Sequence, residues 1–402
     1  MSGLGSGGEE KRYDVLVVGG GPCGATAAHE LALQGYSVAL LDRQGRIKPC
    51  GGAVPPVMVR EFDIPESVLE AKVSTARMIS PAGEQVDMAV GGWVGMVDRG
   101  QFDEWLRKRA VSAGVERFTG TLESIDDENP RRVVVSYKTK GKLGLIKTIS
   151  ARFLIGADGA RSRVAQRCIP KADKIPHVFA YHEIVQSPPA GQDDYDPRRC
   201  DVYYQGDISP DFYGWVFPHG EKTSIGMGTA QKGHSLRQAT TRLRERAGLA
   251  DAPTVRTEGA PIPLKALKRW DNGRNVLVAG DAAGVVAPSS GEGIYYAMLT
   301  GRLAAGAVAT ALDTGKVSAL KLARKRFMAD HGRVFFILGI MQYFWYSSDS
   351  RREKFVKICR DPDVQSLTWD AYMNKKLVRA KPAAHMRIFL KDTAHLLGFA
   401  AR

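Results

Sequence analysis

The chain is 402 residues long, 44% hydrophobic and 25% charged, the balance of a globular protein with room for two or three domains of about 150 residues each; wholesale disorder and fibrous repeats are excluded. Its five cysteines, Cys23, Cys50, Cys168, Cys200 and Cys359, form no CxxC pair, which argues against a disulfide framework and a structural zinc site. The net charge of +14 could serve nucleic acid, a membrane surface or an anionic ligand.

Met1 to Glu10 is rich in Gly, Ser and Glu with no apolar stretch, so no secretory or transit segment is read there and a cytoplasmic location is expected. Tyr13 to Val18 is a β-branched apolar run, followed by Gly19-Gly20-Gly21-Pro22-Cys23-Gly24 and a helical segment, Ala25 to Gln34. Strand, glycine turn and helix in this order make a dinucleotide fingerprint. Gly19 permits the turn, Gly21 lets the backbone approach a pyrophosphate, and Gly24 lets helix and strand pack closely. A second strand, Tyr36 to Leu41, ends at Asp42 and Arg43, where the acid would accept the ribose hydroxyls of an adenosine.

This first unit fits FAD and NAD alike. Two later segments bear on the choice: an apolar strand ending in Gly156-Ala157-Asp158-Gly159, and Asn275 to Gly284, another ending in Gly280-Asp281. An acid followed by small residues at a strand end suits close approach to a polar chain such as the ribityl-phosphate arm of FAD; a helix-capping aspartate is the competing explanation. With the fingerprint, their order resembles the flavoprotein superfamily of p-hydroxybenzoate hydroxylase and glutathione reductase type, over residues 10–315. That resemblance implies that Asp281 binds the ribityl and pyrophosphate region, that Asp158 lies near the flavin, and that Arg99, at a helix start, touches FAD. No second GxGxxG occurs, so NADPH would bind transiently beside the flavin, or reduced ferredoxin would replace it.

Residues 73–97 and 177–265 alternate like strands and read as a substrate domain inserted between FAD-binding stretches 10–72, 98–176 and 266–315. The fold class expected is α/β: a Rossmann-like FAD-binding domain, an inserted β-sheet substrate domain and a helical C-terminal region. Within the insertion, Tyr213, Trp215 and Phe217 project from one face of a strand, either as an aromatic core stripe or as the floor of an apolar channel. The spacing PxxYxWxFP from Pro210 to Pro218, then seven residues and Gly226-Met227-Gly228, is similar to the signature of geranylgeranyl reductases. Lys48-Pro49-Cys50-Gly51-Gly52 resembles the segment with which that family approaches the flavin ring, and Gly291-Glu292-Gly293 its later flavin loop.

The whole chain, with Leu367 to Met373 and Arg379-Ala380-Lys381-Pro382, looks most like the bacteriochlorophyll branch, which saturates a geranylgeranyl tail to phytyl. The resemblance implies a prenylated tetrapyrrole or prenyl diphosphate as substrate, Tyr213 and Trp215 facing the chain, and Cys50 nearest the flavin as a proton donor or as part of the pocket wall. Glu292 and His182 are further proton-donor candidates. A flavin monooxygenase acting on an aromatic, or a non-catalytic isoprenoid or pigment carrier, would share the scaffold.

Residues 316–402 carry 18 Lys/Arg against 7 Asp/Glu, a net +11. They combine Arg324-Lys325-Arg326 with the apolar runs Val334 to Tyr346 and His385 to Phe399. Neither run is an uninterrupted span of about 20 apolar residues. Basic flanks around apolar stretches suit an element lying on an anionic membrane, beside pigment-synthesis enzymes; a helical cap with a solvated basic face explains them equally. No nucleic-acid-recognition motif accompanies the charge.

Overall fold

A computed structural model describes residues 11–43, 47–48, 50–141 and 144–375. The apolar run at the start forms β1 (Arg12–Val18), and α1 (Pro22–Leu33) follows at once. The helix begins three residues before Ala25, because the fixed φ and missing N–H of Pro22 suit a first helical position. Then come β2 (Val38–Asp42), β3 (Ala53–Val54), α2 (Pro56–Glu61), β4 (Ala71–Ile79), β5 (Gln85–Met96) and α3 (Arg99–Ser112). A second stretch gives β6 (Glu116–Asp126), β7 (Val133–Thr139), β8 (Ile146–Gly156) and α4 (Arg163–Cys168). The insertion supplies β9 (His177–Gln186), β10 (Arg199–Tyr203), β11 (Gly214–His219), β12 (Lys222–Thr229), α5 (Leu236–Arg246) and β13 (Thr254–Pro263). The chain returns through β14 (Val276–Val278) to α6 (Ile294–Thr314), α7 (Lys321–Trp345), α8 (Asp349–Ile358) and α9 (Pro362–Asn374).

Two sheets result. In the first, β2, β1, β8 and β14 run parallel, β6 continues beyond β2, and β7 bridges the outer halves of β6 and β8 as an antiparallel meander. Val15, Leu16, Val17, Leu40, Leu154, Ile155 and Val276 to Val278 are fully buried, as expected of parallel strands covered on both faces. Val18 is paired with Leu41 and with Gly156, and Gly156 with Val278. This register ends four strands at one edge, so that the turns after β1, β2, β8 and β14 meet there, at the place where open parallel sheets bind ligands.

The second sheet runs β13-β9-β12-β11-β10-β4-β5-β3, antiparallel except where β10 pairs with β4. One stretch read as strand-like, residues 236–246, is instead helical. Ala239, Thr240 and Leu243 are its buried residues, a helical spacing, and Ser235 caps its N-terminus through the amide of Gln238. The C-terminal region is helical as expected through α9. The run His385 to Phe399 and the segment Arg379 to Pro382 lie outside the described residues. Among those described, no helix is long and apolar enough to cross a membrane, and no cluster of metal-ligating side chains occurs.

Candidate functional site

One cavity of about 1130 Å³ reaches from the glycine turn after β1 to the helices α7, α8 and α9. That exceeds the roughly 300–1,000 Å³ of an ordinary ligand pocket and leaves room for a dinucleotide and a second molecule. At the glycine end the cavity is lined by Gly19, Gly20, Gly21, Asp42 and Arg43. A Cβ built on Gly21 would meet nothing within 4 Å, whereas one on Gly24 would stand 1.8 Å from the carbonyl oxygen of Gly19. Gly21 thus keeps open the space in front of α1, and Gly24, one layer behind the wall, lets the helix seat against the turn. No side chain caps α1 and its first turn holds no acid, so its free amides and positive dipole end face that space. Asp42 accepts the Gly20 N–H at 3.3 Å and lies 3.6 Å from Arg107, which donates to the Gly20 carbonyl at 3.0 Å. An apolar turn, open amides and an acid at the second strand end fit the adenosine diphosphate half of FAD.

The middle of the cavity gathers Lys48, Cys50, Gly51, Gly52, Arg99, Asp158, Asp281, Gly291 and Gly293. Gly280 is not at the wall; its φ of +60° turns the chain behind it, against Cys23. Lys48 forms an ion pair with Asp281. Arg99, buried, is held by Asp103 through two bonds of 2.8 and 2.9 Å, with the Cys50 thiol as a further neighbour. The Cys50 sulfur accepts the Gly52 N–H at 3.3 Å. Gly52 has φ +73°, and a Cβ there would stand 2.4 Å from the His219 ring, so the loop can make this turn only with glycine. Asp158 lines the cavity, but its carboxylate accepts from the Ser162 hydroxyl and from the amides of Arg163 and Val164, at 2.7 and 3.3 Å. Burial pushes its carboxyl up against the pull of those bonds.

Beyond this the lining turns apolar. Residues two apart on the strands of the second sheet present one face to the cavity: Met88 and Val90, Cys200 and Val202, Trp215 and Phe217, Ala260 and Ile262. Val334, Leu338, Met341 and Trp345 from α7, with Trp369 and Tyr372 from α9, close the opposite side. The aromatic stripe is therefore core and channel wall at once. Tyr213 and Trp215 lie in T-shaped contact at 6.1 Å. The Trp215 indole N–H donates to Ser224 Oγ at 3.1 Å, which contacts His182 Nδ1 at 3.0 Å; the other ring nitrogen of His182 contacts Glu258. This buried chain fixes the indole edge, and His182 is committed to it.

Three residues, one just before β11, one just after α7 and one just after α9, clamp the loop around Gly291. Tyr213 donates to the Ser290 carbonyl at 2.5 Å, Tyr346 to that of Ser289 at 3.0 Å, and Lys375 pairs with Glu292 at 2.5 Å. Lys375 is buried, its ammonium 3.8 Å from the centre of the Tyr372 ring. Burial lowers its pKa against the opposing effect of Glu292. Burial also raises the phenols of Tyr213 and Tyr372, so both stay neutral. Sequence reading named Lys48 only as part of the Cys50 segment and Tyr346 only as the end of an apolar run, and it missed Arg107 and Lys375. Each meets its partner across a long stretch of chain, and no local spacing signals it.

The parallel sheet with ligand-facing turns at one edge, and a cavity continuing under a second sheet, define an FAD-binding oxidoreductase. Residues 14–53 match the FAD dependent oxidoreductase family, and residues 70–326 the FAD binding domain family. The chain is 56% identical to a geranylgeranyl diphosphate reductase of Rhodobacter capsulatus over 96% of its own length and 98% of the relative's. It is 36% identical to a geranylgeranyl diphosphate reductase of Synechocystis, over 95% and 97% of the two chains. A geranylgeranyl bacteriochlorophyll reductase-like structure from Thermoplasma acidophilum shares the fold, with a TM-score of 0.79 and 22% identity over 93% of this chain and 100% of that one. The chain belongs to the geranylgeranyl reductase family.

Proposed function

We propose that this protein uses FAD to saturate the isolated double bonds of a geranylgeranyl chain, giving phytyl, in bacteriochlorophyll formation. The observation that carries the reading is the main cavity, whose dinucleotide-fitting end passes without a break into an aromatic and aliphatic tunnel. Residues 10–72, 98–176 and 266–315 would hold the cofactor, 73–97 and 177–265 the substrate, and 316–402 would close the tunnel.

When bound and reduced, FAD supplies hydride. Gly19, Gly21, Asp42 and Arg43 would hold its adenosine diphosphate half. Gly51, Gly52, Arg99, Asp281 and the clamped loop with Gly291 and Gly293 would position the flavin end. An isolated trisubstituted alkene has no carbonyl to polarise it, so positive charge develops at the tertiary carbon as the bond is reduced. The ring faces of Tyr213 and Trp215 would stabilise that charge by on the order of 0.5–2 kcal/mol per contact, and the dry wall excludes water that would trap it. Cys50 would deliver the proton.

The chain's carrier is geranylgeranyl bacteriochlorophyllide, geranylgeranyl diphosphate or both; the names of the relatives support the diphosphate. Electrons come from NADPH or reduced ferredoxin. Val334 to Tyr346 divides in a way that suits a membrane-surface position beside pigment-synthesis enzymes. Its inner side lines the tunnel, while Phe336, Ile340 and Tyr343 are 70, 53 and 85% exposed. Lys325, Arg326 and Arg333 are exposed on the same helix, whereas Arg324 is engaged with the Leu267 carbonyl at 3.1 Å. The protein is therefore expected to sediment with anionic vesicles and to be released by salt.

The deciding experiment mixes photoreduced protein anaerobically with each geranylgeranyl substrate, alone and in competition. Flavin reoxidation with stepwise gain of hydrogen in the chain is expected. A requirement for oxygen would make the protein a monooxygenase, and absence of any reoxidation would make it a carrier.

A further inference from the structure

A second, much smaller chamber of about 20 Å³ lies behind the Cys50 loop. Lys48, Cys50 and Arg99 line both it and the main cavity, so the Cys50 loop is a partition between the two. On the chamber side stand His219, whose Nε2–H donates to the Gly51 carbonyl at 3.1 Å, and Arg256, which bridges Glu258 and Asp98 at 2.7 and 2.5 Å. Glu70 and Lys222, both partly exposed, carry the lining toward solvent. The chamber is of the size that holds about one water, and its wall offers the several polar partners a buried water needs.

Each double bond that is saturated takes up one hydride and one proton, and the proton donor must be recharged before the next. A prenyl chain lying in the tunnel would fill the apolar approach to Cys50, which lines the same cavity, while this happens. We propose that the chamber is the proton inlet of the site: a water held behind Cys50 returns a proton to its sulfur from solvent while the substrate occupies the main cavity. The inference rests on the reading of Cys50 as proton donor. In the donating step the S–H bond breaks and a C–H bond forms at one alkene carbon; the hydride for the other carbon is what bound, reduced FAD would supply. The thiolate left behind is held by the Gly52 N–H and the Arg99 guanidinium. The chamber water then protonates the sulfur and regains its own proton from solvent at the Glu70 and Lys222 edge. His219 acts as a positioning residue, keeping the Gly51 carbonyl and one wall of the chamber in place.

The test follows exchange of the Cys50 S–H for S–D after transfer into D2O, read as an infrared difference against Cys50→Ala, in FAD-loaded protein whose main cavity is filled with a fully saturated C20 alcohol. Wild type is expected to exchange as fast with the alcohol as without it. Ile184→Phe, which fills the chamber with apolar volume, and His219→Leu, which strips a polar wall, are expected to slow exchange at least tenfold. His219→Gln, whose amide can still donate to the Gly51 carbonyl, should restore it. If Ile184→Phe does not fold, the pair at position 219 decides. Equal exchange in all variants, or exchange in wild type that stops once the alcohol is bound, overturns the inlet. The donor reading fails separately, if Cys50→Ala leaves anaerobic reoxidation by geranylgeranyl diphosphate unchanged. With Cys50 active, the inlet also requires that His219→Leu, photoreduced again after each reoxidation, slow the second and later reductions more than the first; equal slowing of every round counts against it.

Discussion

Gly21 and Gly24 stand three residues apart in one motif, yet the structure gives them different tasks, and valine at each separates ligand clearance from packing. At Gly21 an added side chain meets nothing within 4 Å and projects into the space before α1. The apoprotein of Gly21→Val is therefore expected to unfold within about 0.5 kcal/mol of wild type. Its new atoms occupy room that a pyrophosphate would need, a misfit of the kind that costs about 1–3 kcal/mol and weakens FAD binding roughly 5- to 150-fold. At Gly24 the added Cβ lies 1.8 Å from the Gly19 carbonyl oxygen; since that atom is backbone, α1 must lift from the turn. Gly24→Val is expected to lose about 3 kcal/mol or more of apoprotein stability, at or beyond the upper end of the overpacking range, and FAD with it. Urea unfolding of the apoproteins and titration with FAD by quenching of flavin fluorescence give the two quantities independently. Wild-type FAD affinity in Gly21→Val would refute the placement of the pyrophosphate, and a stable apoprotein of Gly24→Val would refute the close helix seat.

Trp215→Ala is expected to retain FAD and to slow reduction of the geranylgeranyl chain, because the indole faces the tunnel and its N–H is tied to Ser224; an equal loss of flavin would make Trp215 a support of the cofactor. Burial pushes the His219 imidazole from 6.5 down to about 4. Between those pH values the unfolded chain binds a proton that the folded chain refuses, so stability falls as pH drops through this window, by up to about 3 kcal/mol from this group. His219→Gln should flatten that part of a urea-stability profile, and an unchanged slope would show that the ring reaches water. Lys375→Met leaves the buried Glu292 carboxylate without its partner and is expected to cost about 3–5 kcal/mol, most of it recovered when Glu292→Leu is added. A single substitution that leaves unfolding within about 0.5 kcal/mol of wild type would mean that the pair is hydrated.

What could be read along the chain was what local rules govern. The strand, glycine turn and helix of residues 13–34, the acid at Asp42 and the strand ends at Asp158 and Asp281 are written in neighbouring residues, because turn geometry and β-branched runs act over a few positions. The period-two spacing of Tyr213, Trp215 and Phe217 placed three rings on one strand face, but spacing could not say whether that face met core or cavity. The start of α1 at Pro22 and the helix at residues 236–246 depart from that reading, although a proline suited to a first helical position and Ser235 ahead of a helical spacing signal both locally. Tertiary structure decided the rest: the common strand edge set by the register of Val18, Leu41, Gly156 and Val278; the clamps of Tyr213, Tyr346 and Lys375 on one loop; and the chamber behind Cys50. The Lys375–Glu292 pair spans 83 residues of sequence, and its burial depends on Tyr372 and α9 closing over the site. Pairing and burial across such distances arise from packing of the whole chain, which no window of sequence contains.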